Sequence, residues 1–413
     1  MKISQKLTSA AAVTIALSST LAFSADSFAA ARPVAHRDNI PKGVHLTVWS
    51  WWGQPELDVL TSLAVRWARA HGDTVTVVNQ STNSNGFQFY STAARAGKGP
   101  DVGVGMPHDN LGIFQEEGLL APATSFNPKL YNVPTAEAVK IQGQYYAYPI
   151  SVQNVALFYN KAKIHTAPKT WAQFVQDANK YGFGYAQHNL YQDFAFIGGM
   201  GGYIFKDNNG TLDPNNIGLN NKGAIAAFSL IRSMDAKYHW MNPNTTGAIS
   251  LSEFTKGKIG MYISGPWDIT NVKKAKINLG IAPIPTLPNG HAATPFLGVM
   301  TAFVNARSHQ QVAAQALANY IASAGEPYFY NVNADLPAIV KLQHTKAIQG
   351  NPFDVAFLQQ SKTSIPMPNI PQMQSVWGAM TIIGNIIKGS VSPAVGANKF
   401  VQNIKTGIKI QQG

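Results

Sequence analysis

Two tryptophans in this chain stand where the backbone would hold their rings in a fixed direction. The segment Pro366-Met367-Pro368-Asn369-Ile370-Pro371 carries three prolines in six residues. Proline fixes φ and removes a backbone donor, so this segment is predicted to be a rigid extended strap. Helix-forming residues begin near Gln372 and place Trp377 on the first turns of a helix, while Trp267 follows a Gly-Pro turn. Rigidly held rings, with Met367 close by, predict the wall of a binding site.

Hydrolytic and metal chemistry have little support in the sequence. A glycoside hydrolase needs two carboxylates roughly 5–10 Å apart, one with a raised pKa, and the chain has only 20 acidic residues. It contains no Gly-Xaa-Ser-Xaa-Gly elbow and no His-Glu-Xaa-Xaa-His pair. Asp207-Asn208-Asn209-Gly210 resembles part of a calcium loop but lacks the later glutamate, so a turn is predicted. We expect no metal, no cofactor and no enzymatic activity.

The elements that must position these residues alternate between strands and helices. In the first third of the chain, β-branched alternation and 3.6-residue periodicity predict strands at 44–49, 74–78 and 100–104 and helices at 56–71 and 87–96. Such alternation predicts a parallel sheet with helices on its faces. A second alternating region runs from Trp171 to Pro285, with a helix at 222–234 and a strand at 258–264, and a further helix is predicted at 310–324.

Two long apolar segments, 145–159 and 296–305, are predicted to cross between lobes. Pro149 lies inside the first of them and suits a crossing strand better than a central sheet strand. The absence of a low-complexity linker fits two α/β lobes that share crossover strands.

Residues 1–31 are predicted to be a signal peptide. Lys2 and Lys6 form a basic start, residues 10–23 are apolar, and two small-x-small cleavage sites lie at 27–31. The alternative, a membrane anchor, is disfavoured because serine and threonine interrupt the run. The chain has no cysteine, so neither disulfides nor lipid attachment through cysteine is expected. A free periplasmic location is the simpler expectation, and a wall-retained or secreted protein is the alternative.

Charge is scarce and unbalanced. Charged residues make up 13% of the chain, about half the usual share, and 32 Lys and Arg face 20 Asp and Glu. An anionic partner such as nucleic acid is one interpretation, but the basic residues are scattered and no nucleic acid is expected. We favour acid adaptation, because few carboxylates leave few groups whose protonation can destabilise the fold.

A series of ordered motifs resembles the maltose-binding branch of the bacterial solute-binding proteins, the extracytoplasmic receptors of sugar ABC transporters. The motifs cover nearly the whole mature chain and occur in the family's order: Gly99-Pro100-Asp101-Val102, His108-Asp109, Tyr148-Pro149-Ile150-Ser151-Val152, Pro168-Lys169-Thr170-Trp171, Ser264-Gly265-Pro266-Trp267, Pro295-Phe296-Leu297-Gly298-Val299 and the proline-rich strap.

The resemblance implies a two-lobed α/β fold of the type II periplasmic-binding-protein class. Its N-terminal lobe would comprise residues 32–151 and 302–347, and its C-terminal lobe residues 152–301 and 348–413. Hinges are expected near 152–155, 297–301 and 348–352. The chain would capture a maltose or maltodextrin-type oligosaccharide by lobe closure, act as a monomer, and deliver the sugar to membrane permease subunits.

The resemblance also implies the residues of the sugar site. Sugars have apolar faces and hydroxyl-rich edges, so they require flat aromatic rings and a surrounding set of hydrogen-bonding groups. Trp267, Trp377 and Tyr191 correspond to the stacking rings, and Asp109 to a hydroxyl acceptor. Each ring could instead be a core residue, Asp109 could cap a helix, and Met367 could contact sugar or fill the underside of the strap.

Several positions depart from the family pattern. The family's acidic residues correspond here to Gln153 and Asn189, and its arginine to Asn110. The first loop lacks the Asp-Lys pair and offers Trp51, Trp52 and Gln54 instead. Because amides donate and accept at any pH, a sugar site is still expected. Another oligosaccharide, such as trehalose, and a passive carbohydrate-binding adhesin remain as alternatives.

Overall fold

The computed structural model describes residues 40–83 and 86–412. The predicted signal peptide, residues 1–31, lies outside this part of the chain. Within it, no helix has both the length and the apolar character that crossing a bilayer requires.

The strands, in chain order, are His45–Ser50 (β1), Thr74–Asn79 (β2), Val102–Pro107 (β3), Lys140–Ile141 (β4), Gln144–Tyr145 (β5), Ala147–Gln153 (β6), Ala156–Asn160 (β7), Phe183–Tyr185 (β8), Phe205–Asp207 (β9), Leu212–Ile217 (β10), Met261–Ser264 (β11), Leu279–Ala282 (β12), Phe296–Val304 (β13), Leu336–Pro337 (β14) and Ile365–Pro366 (β15).

The α-helices are Glu56–His71 (α1), Gly86–Arg95 (α2), Leu111–Glu116 (α3), Val133–Glu137 (α4), Trp171–Tyr181 (α5), Leu190–Gly199 (α6), Lys222–Ala236 (α7), Gly247–Thr255 (α8), Ile269–Lys274 (α9), Gln311–Asn333 (α10), Val340–Gln343 (α11), Lys346–Gln349 (α12), Pro352–Ser361 (α13), Met373–Ala379 (α14), Thr381–Ile387 (α15) and Pro393–Gln412 (α16).

The first lobe is built on a seven-stranded sheet with the order β14-β6-β13-β3-β1-β2, and β15 joins one end of β13. The predicted parallel arrangement is confirmed for β1, β2 and β3. It does not extend to β13, which runs antiparallel to both β3 and β6. The reason is that β6 and β13 are crossover strands, and no helical crossover fixes them parallel to their neighbours.

The second lobe is built on a four-stranded sheet with the order β12-β7-β11-β8. Its core is rich in aromatic side chains, among them Phe174, Phe183, Phe194 and Phe228, which are fully buried. The capping box at Thr170, whose side chain accepts from the Gln173 amide and whose own amide donates to Gln173, starts α5 where the sequence predicts it.

Only two residues, Asn154 and Val155, separate β6 of the first sheet from β7 of the second. The predicted crossing at 145–159 therefore lies where the chain changes sheets. Pro149 is tolerated inside β6 because the partner strand β14 reaches only Ser151 and Val152, and because the pairing with β13 shifts register at Thr301, opposite Pro149.

The longest helix exceeds its prediction. The sequence predicts a helix at 310–324, whereas α10 continues to Asn333, through Pro327. This continuation packs Phe329 into the core beside α1, where it is 1% exposed. Burial of an apolar face outweighs the local cost of glycine and proline in a helix.

Candidate functional site

The strap runs across the junction of the two sheets. Its first residues form β15, where Ile365 and Pro366 pair with Phe296 and Leu297 of β13. Its middle lies directly on α3, because a Cβ at Gly112 would fall 2.3 Å from the Asn369 carbonyl oxygen. The Asn369 side chain donates to three carbonyls, those of Glu137, Ala138 and Lys140, at 3.2, 3.0 and 2.8 Å. The predicted rigid strap is therefore fixed to the first lobe.

His108 ties the strap to β13. The backbone N–H of Val299 donates to His108 Nδ1 at 3.1 Å, so Nε2 must carry the proton that is donated to the Met367 carbonyl at 2.9 Å. Burial lowers the pKa of His108 to about 4, so the ring is neutral at pH 7. This histidine orients the strap and lies beneath the site.

Trp377 reaches across to the first lobe. Its Nε1 donates to Asp109 Oδ2 at 2.9 Å, and beside this bond Gln374 Nε2 donates to Asn110 Oδ1 at 3.3 Å. Asp109 is therefore bonded to an indole rather than serving as the cap of α3. Burial raises the pKa of Asp109 to about 7, although the bond from Trp377 opposes this shift.

Four aromatic rings form a continuous chain along the second-lobe side. The ring centroids are 6.2 Å apart for Trp267 and Tyr191, 6.1 Å for Tyr191 and Phe296, and 6.4 Å for Phe296 and Trp377. Trp267 lies over Gly265, where a Cβ would come within 2.2 Å of its ring. Asp268 fixes this turn by accepting from Ser264 Oγ at 2.6 Å and Tyr262 Oη at 2.8 Å. Trp267 is nevertheless 39% exposed, so part of its side chain is accessible to a ligand.

A cavity of about 410 Å³ opens between these two walls. The volume is within the usual range for small-ligand sites. The lining residues are Phe87, Pro107, Asp109, Asn110, Gln153, Tyr191, Gly298, Met300, Met367, Gln374 and Trp377. The cavity thus combines aromatic and apolar surface with amides and one carboxylate, which is the combination that a neutral, hydroxyl-rich ligand needs.

Gln153 closes the cavity at the crossing between lobes. Its backbone carbonyl accepts from Tyr191 Oη at 3.3 Å, and its side chain donates through Nε2 to Asp335 Oδ2. One face of the amide is therefore held by the protein, and the residue still lines the cavity.

The structure brings together six of the residues that the sequence suggested, since Asp109, Asn110, Gln153, Tyr191, Met367 and Trp377 all line one cavity. Trp267 adjoins it through Tyr191. Asn189 lies below, as the cap of α6, where its side chain accepts from the Tyr191 amide at 3.0 Å and so orients that ring.

The three candidates in the first loop, Trp51, Trp52 and Gln54, do not line the cavity. Trp52 packs under the sheet against Phe329, with ring centroids 4.8 Å apart. Trp51 packs between Phe303 and Phe87, and so backs a lining residue. Gln54 is exposed and donates to Asp58 at 3.3 Å. The structure thus places these three side chains around the site, outside the set that lines the cavity.

Sequence reasoning missed Phe87, Met300, Gln374 and Asp335. Phe87 is the second residue of α2 and is 39% exposed. An apolar side chain on the outer side of a helix start was the sequence signal that could have indicated it as a site residue. Gln374 lies three residues before Trp377 on α14, so helical spacing puts both on one face. Asp335 follows the part of α10 that the sequence did not predict.

Comparison with known proteins places this architecture. The sequence model of the family described as "Bacterial extracellular solute-binding protein" matches residues 63–352. The chain belongs to this family. Like these receptors, this solute-binding protein has two α/β lobes joined by crossover strands, with its cavity between them. The family is one of binding proteins, not of enzymes.

Individual relatives are also named as binding proteins. The maltodextrin-binding protein MdxE of Bacillus subtilis is 32% identical over 332 residues, which is 76% of this chain and 79% of that protein. A galactooligosaccharide-binding protein of the same organism is 30% identical over 384 residues, 89% and 90% of the two chains.

Solved structures give the same result. The maltose-maltodextrin binding protein of the thermoacidophilic bacterium Alicyclobacillus acidocaldarius is 55% identical, with a TM-score of 0.84, covering 87% of this chain and 100% of that one. The maltotriose binding protein of Thermus thermophilus, solved with maltotriose, is 28% identical with a TM-score of 0.79, covering 88% and 100%.

Proposed function

We propose that this solute-binding protein is the extracytoplasmic receptor of a sugar ABC transporter and captures α-linked gluco-oligosaccharides of the maltose and maltodextrin type. The cavity between the lobes carries this proposal. One side offers the rings of Tyr191 and Trp377, and the other offers Asp109, Asn110 and Gln153. The relatives named for maltodextrin and maltotriose support the ligand class.

Binding is coupled to closure of the lobes in this proposal. A sugar held against the aromatic chain of the second lobe gains hydrogen bonds from the first lobe only when the lobes approach, so it favours the closed form. The segments 152–155 and 297–301 act as hinges, with a third near 348–352, and the lobes divide as residues 32–151 with 302–347 and 152–301 with 348–413. The closed form is the one that permease subunits recognise.

The protein is exported with removal of residues 1–31, acts as a monomer, and works in an acidic space outside the cytoplasm. The low content of acidic residues supports this setting, and so does the 55% identity to a protein of a thermoacidophile.

Isothermal titration of the mature protein with maltose, maltotriose, trehalose and cellobiose, at pH 4 and pH 7, tests the proposal. We expect tight binding of maltose and maltotriose, no heat from cellobiose, and retention of binding at pH 4. Heat from maltotriose and cellobiose alike would contradict selectivity for α-linked glucose, and silence from all four sugars would overturn the ligand class.

One second candidate ligand has a specific observation behind it. The galactooligosaccharide-binding relative aligns over more of the chain than the maltodextrin-binding one. A galactooligosaccharide is therefore the fifth titrant, and if it binds more tightly than maltotriose, it replaces maltodextrin as the proposed ligand.

Small-angle scattering separates a receptor from a passive adhesin. A receptor that closes has a smaller radius of gyration with saturating sugar than without it, whereas an adhesin that binds without closing keeps the same radius. Lysozyme, mixed with the same sugar concentration, is the control for the contrast of the solution.

A further inference from the structure

A buried carboxylate stands directly behind the cavity. Asp335 is 2% exposed and is absent from the residues that line the cavity. It follows Ala334, which ends α10 in the left-handed conformation with φ of 61°, and it precedes β14, which pairs with Ser151 and Val152 of β6. The backbone on both sides thus fixes its position at the crossing between the lobes.

One oxygen of this carboxylate receives every side-chain bond. Asp335 Oδ2 accepts from Gln153 Nε2 in a short hydrogen bond, from Asn333 Nδ2 at 3.2 Å and from Ser151 Oγ at 3.4 Å. Asp335 Oδ1 is buried and has no hydrogen-bond partner among the described residues. The two oxygens of the carboxylate therefore differ: Oδ2 accepts three side-chain hydrogen bonds, and Oδ1 accepts none from the described residues.

These bonds determine how Gln153 presents its amide. Oδ2 already accepts from two other donors, so the group of Gln153 that faces it must be the donor Nε2. The carbonyl oxygen Oε1 is then the atom left for the cavity that Gln153 lines. Within residues 40–83 and 86–412, the Gln153 side chain makes its hydrogen bond through Nε2, and no donor is bonded to Oε1. A hydroxyl entering the cavity finds an oriented acceptor at this point.

We propose that Asp335 is a positioning residue for sugar recognition: it holds the Gln153 amide so that Oε1 accepts a hydrogen bond from a sugar hydroxyl. The proposal rests on the proposed function and identifies which chemical group the site requires at this point of the ligand, a hydroxyl that can donate.

The same geometry makes the arrangement insensitive to protonation. Burial and the nearby Glu56 carboxylate of α1 raise the pKa of Asp335 to about 7, against the bonds from Gln153 and Ser151. Among the described residues, Tyr191 of α6 also interacts with Asp335; its pKa is raised by burial, so it is neutral from pH 4 to pH 8. A proton added to Asp335 goes to the open Oδ1, so Oδ2 still accepts from Gln153 in both states.

The test compares two substitutions at one position by titration with maltotriose. Asp335→Asn keeps an oxygen in place of Oδ2, so we expect its affinity to stay within about threefold of the unmodified protein at pH 4 and pH 7. Asp335→Ala removes the acceptor and should weaken binding by about tenfold, the value of one hydrogen bond. Equal weakening by both substitutions would overturn the proposal.

A double-mutant cycle separates positioning from general damage. Gln153→Ala removes the acceptor itself, so adding Asp335→Ala to it should weaken binding by less than about twofold more. If Asp335→Ala costs about tenfold in both backgrounds, its effect does not pass through Gln153 and the proposal is wrong. Asp354→Ala is the matched control, because Asp354 is also buried but accepts its hydrogen bond from Tyr330 Oη and not from a residue that lines the cavity.

Two further measurements keep the test independent of folding and of the ligand. Gln153→Glu places two carboxylates together, so binding should fall as pH rises from 4 to 8, and Asp335→Asn should restore it by donating to Glu. If binding is not restored in the double variant, the proposal is overturned.

In the ligand-free protein, the NMR signal of the Gln153 side-chain amide should lose its hydrogen-bonded shift in Asp335→Ala and keep it in Asp335→Asn. This readout stands even if maltotriose does not bind, which would be a failure of the proposed function alone.

Discussion

The two tryptophans of the site differ in how firmly their surroundings hold them. Trp377 is bonded through Nε1 to a buried carboxylate, so its indole serves both as part of the cavity wall and as a contact between lobes. Within the described part of the chain, the Trp267 side chain makes no hydrogen bond; its ring lies near that of Tyr191 and is 39% exposed. Substitution at the two positions should therefore affect affinity alike but stability differently.

Trp267→Ala and Trp377→Ala should each weaken maltotriose binding by about 1–3 kcal/mol, the scale of one stacked aromatic ring. Trp377→Ala should also lower the free energy of unfolding, because it removes the indole donor to Oδ2 of the buried Asp109. Titration measures the first effect and denaturant unfolding the second. Ile249→Ala, at a residue of α8 that is 40% exposed, is the control for loss of an exposed apolar side chain. Unchanged affinity in both tryptophan variants would remove these rings from the site.

The suggested site residues that the structure brings to the cavity are those whose local backbone constrains them. Trp377 follows a proline-rich strap, and Gln153 lies in a strand whose end is set by the crossing. The local sequence around Asp335 and Phe87 shows no such constraint. The position of Asp335 depends on how far α10 continues, and that is decided by packing of Phe329 in the core, which a local pattern does not encode.

At the scale of elements, the strap and the helices on either side of it act together. Helix α3 lies beneath the strap at Gly112, and α14 follows it and carries Trp377. Since the strap is bonded to the first lobe through Asn369 and its helix belongs to the second-lobe core, its geometry sets the distance between Trp377 and Asp109.

Two glycines in these helices form a matched pair. Gly112→Ala would place a Cβ 2.3 Å from the Asn369 carbonyl oxygen, so we expect a loss of about 1–3 kcal/mol in the free energy of unfolding. Affinity should fall too, because Met367 and Trp377 would move with the strap. Gly378→Ala adds a Cβ with no atom within 4 Å and should stabilise α14 by about 0.5–1 kcal/mol. Equal stability of the two variants would mean that the strap is not fixed by its contact with α3.

The elements themselves were largely predictable, and the reason is periodicity. Helix α1 begins and ends where its pattern predicts, at Glu56 and His71, and β13 likewise begins at Phe296. Strand direction in the crossover segments was not predictable, since β13 runs antiparallel to β3 through contacts far apart in the chain. A local pattern shows which face of a strand is apolar, but it does not determine which other strand pairs with it or in which direction.

Across the described part of the molecule, carboxylates are more often buried away from cations than joined to them in ion pairs. Among the described residues, ion pairs join Arg95 to Glu117 and Lys140 to Glu137. Several carboxylates are buried without a cation beside them, most of them with a hydroxyl, amide or indole partner instead. Burial raises the pKa of five of them to between about 6 and about 8: Asp109, Asp193, Asp235, Asp335 and Asp354.

These shifts predict how stability depends on pH. A carboxyl whose folded pKa lies above its unfolded value of 3.8 binds more protons in the folded state, so its contribution is complete below about pH 4 and is lost as pH rises through 6 to 8. His108, with its pKa lowered to about 4, acts in the opposite sense and costs stability as pH falls from its unfolded value of about 6.5 toward 4. Five carboxyls outnumber it, so the free energy of unfolding should be higher at pH 5 than at pH 8, by at least the ~1.4 kcal/mol that one pKa unit represents. Denaturant unfolding from pH 3 to pH 9 measures this difference in stability.

Asp193→Asn keeps the acceptor for Tyr185 Oη and removes one titrating group, so the stability of this variant should change less between pH 5 and pH 8 than that of the unmodified protein. A steep loss of stability below pH 5 in the unmodified protein would contradict the proposed acid adaptation, and a profile unchanged by Asp193→Asn would contradict the contribution of this buried carboxyl to it.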